Sequence, residues 1–178
     1  MNKQLVKKAQ KGNKEALAQL FLSVQDESYK IAYSYLRHEQ DSMDAVCTAI
    51  EKALMTIKNL KKAKYFRTWF IRIVINEAKM YIRKQSKVIY LQDDVLEVQT
   101  NRTSKICELQ QKELAMDIKE ALDNLPETDR SMVYMKYYLE YSFREIGEIY
   151  QMPESTIKTK VYNALEKLRG AMVNPKVI

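Results

Sequence analysis

Arg72, Asn76, Lys79 and Arg83 recur every three or four residues, the spacing that gathers side chains on one side of a helix. Three cations and a carboxamide on one face offer charge for phosphates and a paired donor and acceptor for the edge of a base. The stretch Lys58-Asn59-Leu60-Lys61-Lys62-Ala63-Lys64 comes just before them and reads as a lysine-dense loop. A second set lies near the C-terminus. Lys158, Thr159, Tyr162, Asn163 and Glu166 share one side of a predicted helix, with Ile157, Val161, Leu165 and Leu168 on the other. Lysine donates to guanine or phosphate and asparagine pairs with adenine, so that outer side suits a DNA major groove. Ser155 and Thr156, near the helix start, add hydroxyl and backbone donors for a phosphate. Catalytic chemistry finds no such support. Cys47 and Cys107 form no C-x-x-C pair and His38 is the only histidine, whereas a zinc site needs about four ligands at suitable spacing. The two cysteines are expected as free thiols packed like small apolar groups, and no metal, cofactor or catalytic residue is expected.

Charge is distributed in the same sense. The 178 residues carry a formal net charge of +7. Residues 51–90 hold eleven Lys and Arg against two acidic residues, while residues 91–128 hold four against nine. A localised basic field of this kind fits a polyanion, either nucleic acid or an anionic membrane face.

The elements that must position these residues read as helices. Gly and Pro number only three each, too few for sandwiches and barrels with their many turns. Leu17, Leu20, Phe21 and Val24 form one apolar stripe, and Val46, Ile50, Leu54 and Ile57 another, with Asp41 and Ser42 as start signals. Tyr29 to Leu36, between them, is also compatible with helix. Over residues 64–84, Phe66, Phe70, Val74, Ala78 and Tyr81 gather opposite the basic side, so that helix should bury one aromatic face. Trp69 is expected to be partly buried rather than a stacking platform. Periodicity lapses over residues 85–110, which read as a linker, and resumes from about Lys105 to Asn124, where Leu125-Pro126 stops it. A Met- and Tyr-rich helix is predicted from Glu127 to about Tyr141. Ser142-Phe143-Arg144-Glu145 then matches a capping box and opens a short helix. Gln151-Met152-Pro153 breaks the chain, and a last helix runs to about Leu168, with Gly170 placed to cap it. Short helix, tight turn and second helix have the dimensions of a helix-turn-helix.

Two stretches resemble one family. Tyr65-Phe66-Arg67-Thr68-Trp69-Phe70-Ile71-Arg72-Ile73-Val74-Ile75-Asn76-Glu77-Ala78 resembles the region 2 signature of extracytoplasmic-function sigma factors of RNA polymerase. Leu125-Pro126-Glu127-Thr128-Asp129-Arg130, Tyr141-Ser142-Phe143-Arg144-Glu145-Ile146-Gly147 and Met152-Pro153-Glu154-Ser155-Thr156-Ile157-Lys158-Thr159-Lys160 resemble region 4 of that family. The resemblance implies a factor that joins core RNA polymerase, opens and reads a −10 element with region 2, and reads a −35 element with region 4. It implies a flipped base held between the loop Lys58-Asn59-Leu60-Lys61-Lys62 and Asn76, with Arg72, Lys79 and Arg83 tracking phosphates. It implies −35 reading by Lys158, Thr159, Lys160, Tyr162 and Asn163; family members often have arginine where Lys158 and Lys160 stand, and lysine offers a point charge instead of a fork. A polymerase grip is implied at Asp41 and Asp44, although the family pattern D-x-x-Q-E-x-F reads Asp44-Ala45-Val46-Cys47-Thr48-Ala49-Ile50 here, with three of four marked positions different.

The expected architecture is all-α: a region 2 domain over residues 1–88, a flexible linker over 89–110 and a region 4 helix-turn-helix domain over 111–178. The expected partners are core polymerase, promoter DNA and an anti-sigma factor. Because the opening residues have no apolar h-region and no run of about 18 apolar residues occurs, the expected location is cytoplasmic, without a membrane span. Three rival readings stand beside this one. A self-sufficient helix-turn-helix regulator explains residues 127–170 but leaves the first half idle. A helical enzyme of nucleic-acid metabolism needs an acid–base or metal cluster. A basic membrane-surface protein would use the aromatic side of residues 64–84.

Overall fold

A computed structural model describes residues 3–91 and 121–173, with side chains over 3–85 and 121–170. Four helices make the N-terminal half: α1 (Lys3–Gln10), α2 (Lys14–Leu36), α3 (Glu39–Thr56) and α4 (Phe66–Leu91). The lysine-dense stretch between α3 and α4 is not an open loop. It folds as two 3-10 turns, η1 (Ile57–Asn59) and η2 (Ala63–Tyr65). The C-terminal half contains, among the described residues, α5 (Glu127–Tyr137), α6 (Phe143–Tyr150) and α7 (Glu154–Val173) after a helical stretch at 121–123. The expected linker, and the helix predicted from Lys105, fall almost wholly outside the described residues.

Local chemistry sets the ends. The Asn13 side chain accepts from the Ala16 amide at 2.7 Å and starts α2. Arg37, in the left-handed region at φ 56°, ends it. His38 then caps α3 through Nδ1, which accepts from the Asp41 amide at 3.3 Å. The helix therefore begins two residues before the predicted Asp41–Ser42 start, with Asp41 in its first turn. The predicted capping box is present in full: the Glu145 amide donates to Ser142 Oγ at 3.2 Å, and the Ser142 amide donates to the Glu145 carboxylate at 2.9 Å. Two predicted ends move. α5 stops at Tyr137 because Glu140 turns left-handed and the Tyr141 amide closes onto the Met135 carbonyl at 2.9 Å. α7 runs through Gly170 instead of ending there; a glycine costs a helix about 1 kcal/mol and does not by itself stop one.

Val6, Leu20, Phe21, Val24, Ala49, Phe66, Phe70 and Val74 belong to a core shared by α1 to α4. Phe21 and Phe70 meet at 5.2 Å between ring centroids, tilted 59°, a favourable aromatic geometry. Trp69 is half-buried against Phe66, as its position predicts. A second core joins the halves. Ile31 and Tyr35 of α2, with Ile71, Ile75 and Ala78 of α4, pack with Met132 and Met135 of α5, Ile146 and Ile149 of α6, and Ile157 and Val161 of α7. So α4 buries two sides, not the single aromatic face expected from its sequence.

Candidate nucleic-acid interface

Seating Phe66, Phe70 and Val74 in the first core turns Ile73, Asn76 and Glu77 toward the end of α3. There they meet Lys52, Met55 and Thr56 around a pocket of about 310 Å³. That is near the lower end of the 300–1,000 Å³ typical of small-molecule sites and suits one unstacked base. The Lys52 ammonium donates to both oxygens of Glu77 at 2.7 Å. Glu77 is nearly buried (10% side-chain exposure), so the pair holds a charge that alone would be costly there. The Asn76 carboxamide is exposed and makes no hydrogen bond to the described residues. It therefore has donor and acceptor free for a planar partner.

The predicted −10 residues divide into two groups. Lys58, Asn59, Lys61 and Lys62 are exposed in and just after η1, Arg83 is exposed near the far end of α4, and Leu60 packs partly into the first core. Arg72 and Lys79 instead turn toward α6. Arg72 Nε donates to the Glu148 carbonyl at 3.0 Å. The Lys79 ammonium sits 5.6 Å from the Tyr150 ring centroid and 6.0 Å from that of Tyr35, a cation–π arrangement. Burial, and then the Arg83 charge, hold the Lys79 pKa below the usual lysine value.

Other bonds pin the same contact between halves. Arg130 Nε donates to the Ser34 carbonyl at 2.6 Å and Nη2 to that of Tyr35 at 3.1 Å, a cation at the C-terminal end of α2. The Tyr35 and Tyr150 hydroxyls are 2.7 Å apart. Burial pushes both phenols upward, so they bond as neutral groups. The Tyr141 hydroxyl donates to Glu27, which also takes a two-pronged pair from Arg67, and the Arg67 guanidinium lies 4.4 Å from the Tyr141 ring centroid.

In the C-terminal module, α6 and α7 meet at Gly147. A Cβ there would stand 2.8 Å from the Met152 carbonyl oxygen, a separation that only glycine permits. Ile157, Val161 and Ala164 are buried, which leaves Ser155, Lys158, Thr159, Tyr162 and Asn163 exposed and Thr156 half-exposed. Tyr162 rests beside Phe143 at 5.9 Å. Lys158 pairs with Glu154 at 2.8 Å, and that hydrogen bond raises its pKa. The Thr159 hydroxyl donates to the Ser155 carbonyl at 3.1 Å. Lys160 leans the other way, onto Asp129 of α5 at 3.7 Å, so the structure brings five of the seven predicted −35 residues fully into the open and turns Lys160 aside.

Of the two residues predicted for polymerase, Asp44 is exposed and Asp41 accepts from the Tyr81 hydroxyl at 2.6 Å. Met43 and Leu54, half or nearly half exposed, flank Cys47 on the outer side of α3. Cys47 is thus a free but exposed thiol, not a packed one, because it faces away from Ala45, Val46 and Ala49. Cys107 lies outside the described residues. Sequence reasoning missed Lys52, Met55, Thr56, Ile73 and Glu77 in the pocket. One signal was available: Glu77 is one of only two acids among residues 51–90, and an isolated acid in a basic segment asks for a cationic partner. Among the described residues no helix is long and apolar enough to cross a membrane, and no group of three His, Cys, Asp or Glu could hold a metal ion.

Comparisons agree with this geometry. Residues 20–88 match the family model for sigma-70 region 2, and residues 115–168 match that for sigma-70 region 4. The chain is 30% identical over 141 residues to RNA polymerase sigma factor SigV of Bacillus subtilis, covering 79% of this chain and 81% of that protein. It is 28% identical to ECF RNA polymerase sigma factor SigW of the same organism, covering 95% of each. Two solved structures share the fold: CnrH in complex with the cytosolic domain of CnrY (TM-score 0.72, 19% identity, 98% of each chain), and the sigma factor RpoE in complex with the anti-sigma factor NepR from Bartonella quintana (TM-score 0.70, 20% identity, 90% of this chain and 98% of that one). The chain therefore belongs to the sigma-70 family of RNA polymerase sigma factors, among the extracytoplasmic-function members, and directs promoter-specific initiation of transcription.

Proposed function

We propose that the pocket beside Asn76 captures one unpaired base of the −10 element, while the outer side of α7 reads the −35 element as duplex. The observation that carries this is the exposed, unbonded Asn76 carboxamide on the rim of an open pocket that also includes Lys52, Met55, Thr56, Ile73 and Glu77. A flipped base needs partners for its pairing edge and apolar surface to lie against; Asn76 supplies the first, and Ile73 with the exposed Met55 the second. Lys58, Lys61 and Lys62 neutralise the strand's phosphates. Asp44 and the Met43, Cys47 and Leu54 side of α3 make the contact with core polymerase. The chain itself is not an enzyme: the polymerase forms the phosphodiester bonds. It works in the cytoplasm and is held in check by an anti-sigma factor, a partner that the RpoE complex of the same fold also contains.

The packed arrangement must open for this work. Elements 25 base pairs apart are separated by about 85 Å at 3.4 Å per step. A packed chain of this length has a radius of gyration of about 16 Å, hence a body about 40 Å across. The halves joined through Arg130, Tyr35 and Arg72 therefore cannot reach both elements at once, and Arg72 and Lys79 join the strand track only when α6 leaves α4. A gel shift on promoter duplex with and without core polymerase tests the reading. A sequence-specific complex that needs core polymerase is expected. Tight specific binding by the chain alone would favour a self-sufficient helix-turn-helix regulator.

A further inference from the structure

Lys3, Lys7, Lys8, Lys11 and Lys14 precede the first acidic residue, Glu15. Residues 1–50 as a whole hold seven Lys and Arg against six acidic residues, so along the chain these cations are nearly balanced. In the fold they are not. Gln10 Nε2 donates to the Ile57 carbonyl at 3.1 Å and to the Leu60 carbonyl at 2.8 Å, clamping α1 onto the η1 turn. Val6 and Ala9 are buried in the same contact. This brings the basic N-terminal helix against the second lysine cluster, and between them lies a groove of about 310 Å³ lined by Lys3, Gln4, Lys7, Lys62, Ala63 and Lys64.

The cations around this groove are not held by acids among the described residues, a condition they share with cations elsewhere such as Arg83 and Lys84 but concentrate in one place. Lys30, Arg37, Lys52, Arg67, Arg144, Lys158 and Lys160 each have an acidic partner. Lys3, Lys7, Lys8, Lys11, Lys14, Lys58, Lys61, Lys62 and Lys64 have none among the described residues. The first turn of α1 also lacks an acid, so Lys3 there opposes the helix dipole, whereas Lys7 and Lys8 lie in the last turn, where the dipole favours them. A like-charged cluster with no counter-charge among the described residues is a surface suited to an external polyanion.

We infer that the α1–η2 groove is a second DNA contact, which holds the phosphates of the melted strand as it leaves the Asn76 pocket. This rests on the base-pocket reading above. Lys58, Lys61 and Lys62 bridge the two places along the chain. The one ring beside the groove, Tyr65, lies under the Lys64 ammonium at 4.7 Å, and ammonium groups contact backbone rather than sequence.

The test uses the full chain assembled with core polymerase, on fork-junction DNA with an unpaired strand of two unrelated sequences, titrated from 50 to 200 mM salt. For K3Q/K7Q, two lost single-strand phosphate contacts should shallow the log–log salt slope by about 1.4. The affinity advantage of the unaltered chain then falls about 7-fold across that range, equally on both sequences, and K3R/K7R restores it. An unchanged slope overturns the inference. So does a loss confined to one sequence, or weakened assembly with polymerase at an unchanged slope, which would make the partner an acidic protein surface. N76A in the same titration should lose sequence discrimination and keep its slope. If N76A still discriminates, the pocket reading fails while the K3Q/K7Q slope independently reports the groove.

Discussion

Arg130→Ala should release the two halves from one another. The guanidinium gives two hydrogen bonds, at 2.6 and 3.1 Å, to carbonyls that end α2, and a third at 3.2 Å to the Asp123 carbonyl. Only the first two cross between halves. Hydrogen bonds from a charged donor contribute about 1.5–3 kcal/mol each. Burial and the nearby Arg37 disfavour the charge, so the lower end applies, about 3 kcal/mol for the pair. That is roughly a hundredfold shift toward the open arrangement, since each 1.4 kcal/mol is a factor of ten. The alanine leaves no charge buried, and the freed carbonyls are hydrated on opening. Spin labels at Glu51 of α3 and Lys167 of α7, both exposed, with Cys47 and Cys107 replaced by serine, would report the distance by double electron–electron resonance. One short, narrow distribution is expected for the parent and a broad, longer one for the variant, with helix content unchanged. Identical distributions would refute the reasoning, because the bonds would then not hold the halves together.

Gly147→Ala should cost about 1–3 kcal/mol, the usual range for overpacking, since its methyl would meet a backbone carbonyl at 2.8 Å; a lowered thermal midpoint for the C-terminal module checks this. Hydrogen bonds from Ser142 hold the Glu145 carboxyl below its ordinary range. That contribution is fully present above the unfolded carboxyl pKa, about 4.3, and is lost as pH falls through the lower folded value. The stability gap between the parent and Glu145→Gln should therefore be constant from pH 7 to about 5 and shrink below about pH 4, as measured by urea titrations at each pH. Lys158→Ala should shallow the log–log salt slope of duplex binding by about 0.9 if the ammonium leaves Glu154 for a phosphate; an unchanged slope would leave Lys158 in its intrahelical pair.

Much of the helical plan was legible because it is written in local signals. The Ser142–Glu145 box and the Pro153 break placed the starts of α6 and α7 within a residue or so, since both depend on neighbours in sequence. The apolar stripe of Phe66, Phe70 and Val74 fixed the inner side of α4 in the same way. Ile71 and Ile75 were not legible as buried: their partners, Met132 and Ile146, stand more than fifty residues away, and no periodicity reveals a second covering layer. The same long-range packing redirected Arg72 and Lys79, which share a side with Asn76 on the helix but meet α6 in space. Lys160 turned inward for want of one fact, that Asp129 lies across from it. The pocket residues Lys52, Met55 and Thr56 were hidden because they belong to a different helix from Asn76. The basic N-terminus is not visible in charge along the chain, because it joins the second lysine cluster only through the Gln10 bonds to Ile57 and Leu60.

Permanganate reactivity of the −10 region, with core polymerase and the full chain on a cognate promoter, tests the base pocket most directly. Asn76→Ala should abolish or strongly reduce the unpaired-thymine signal while assembly with polymerase stays intact. Undiminished strand opening by the variant would contradict the capture of a base at Asn76.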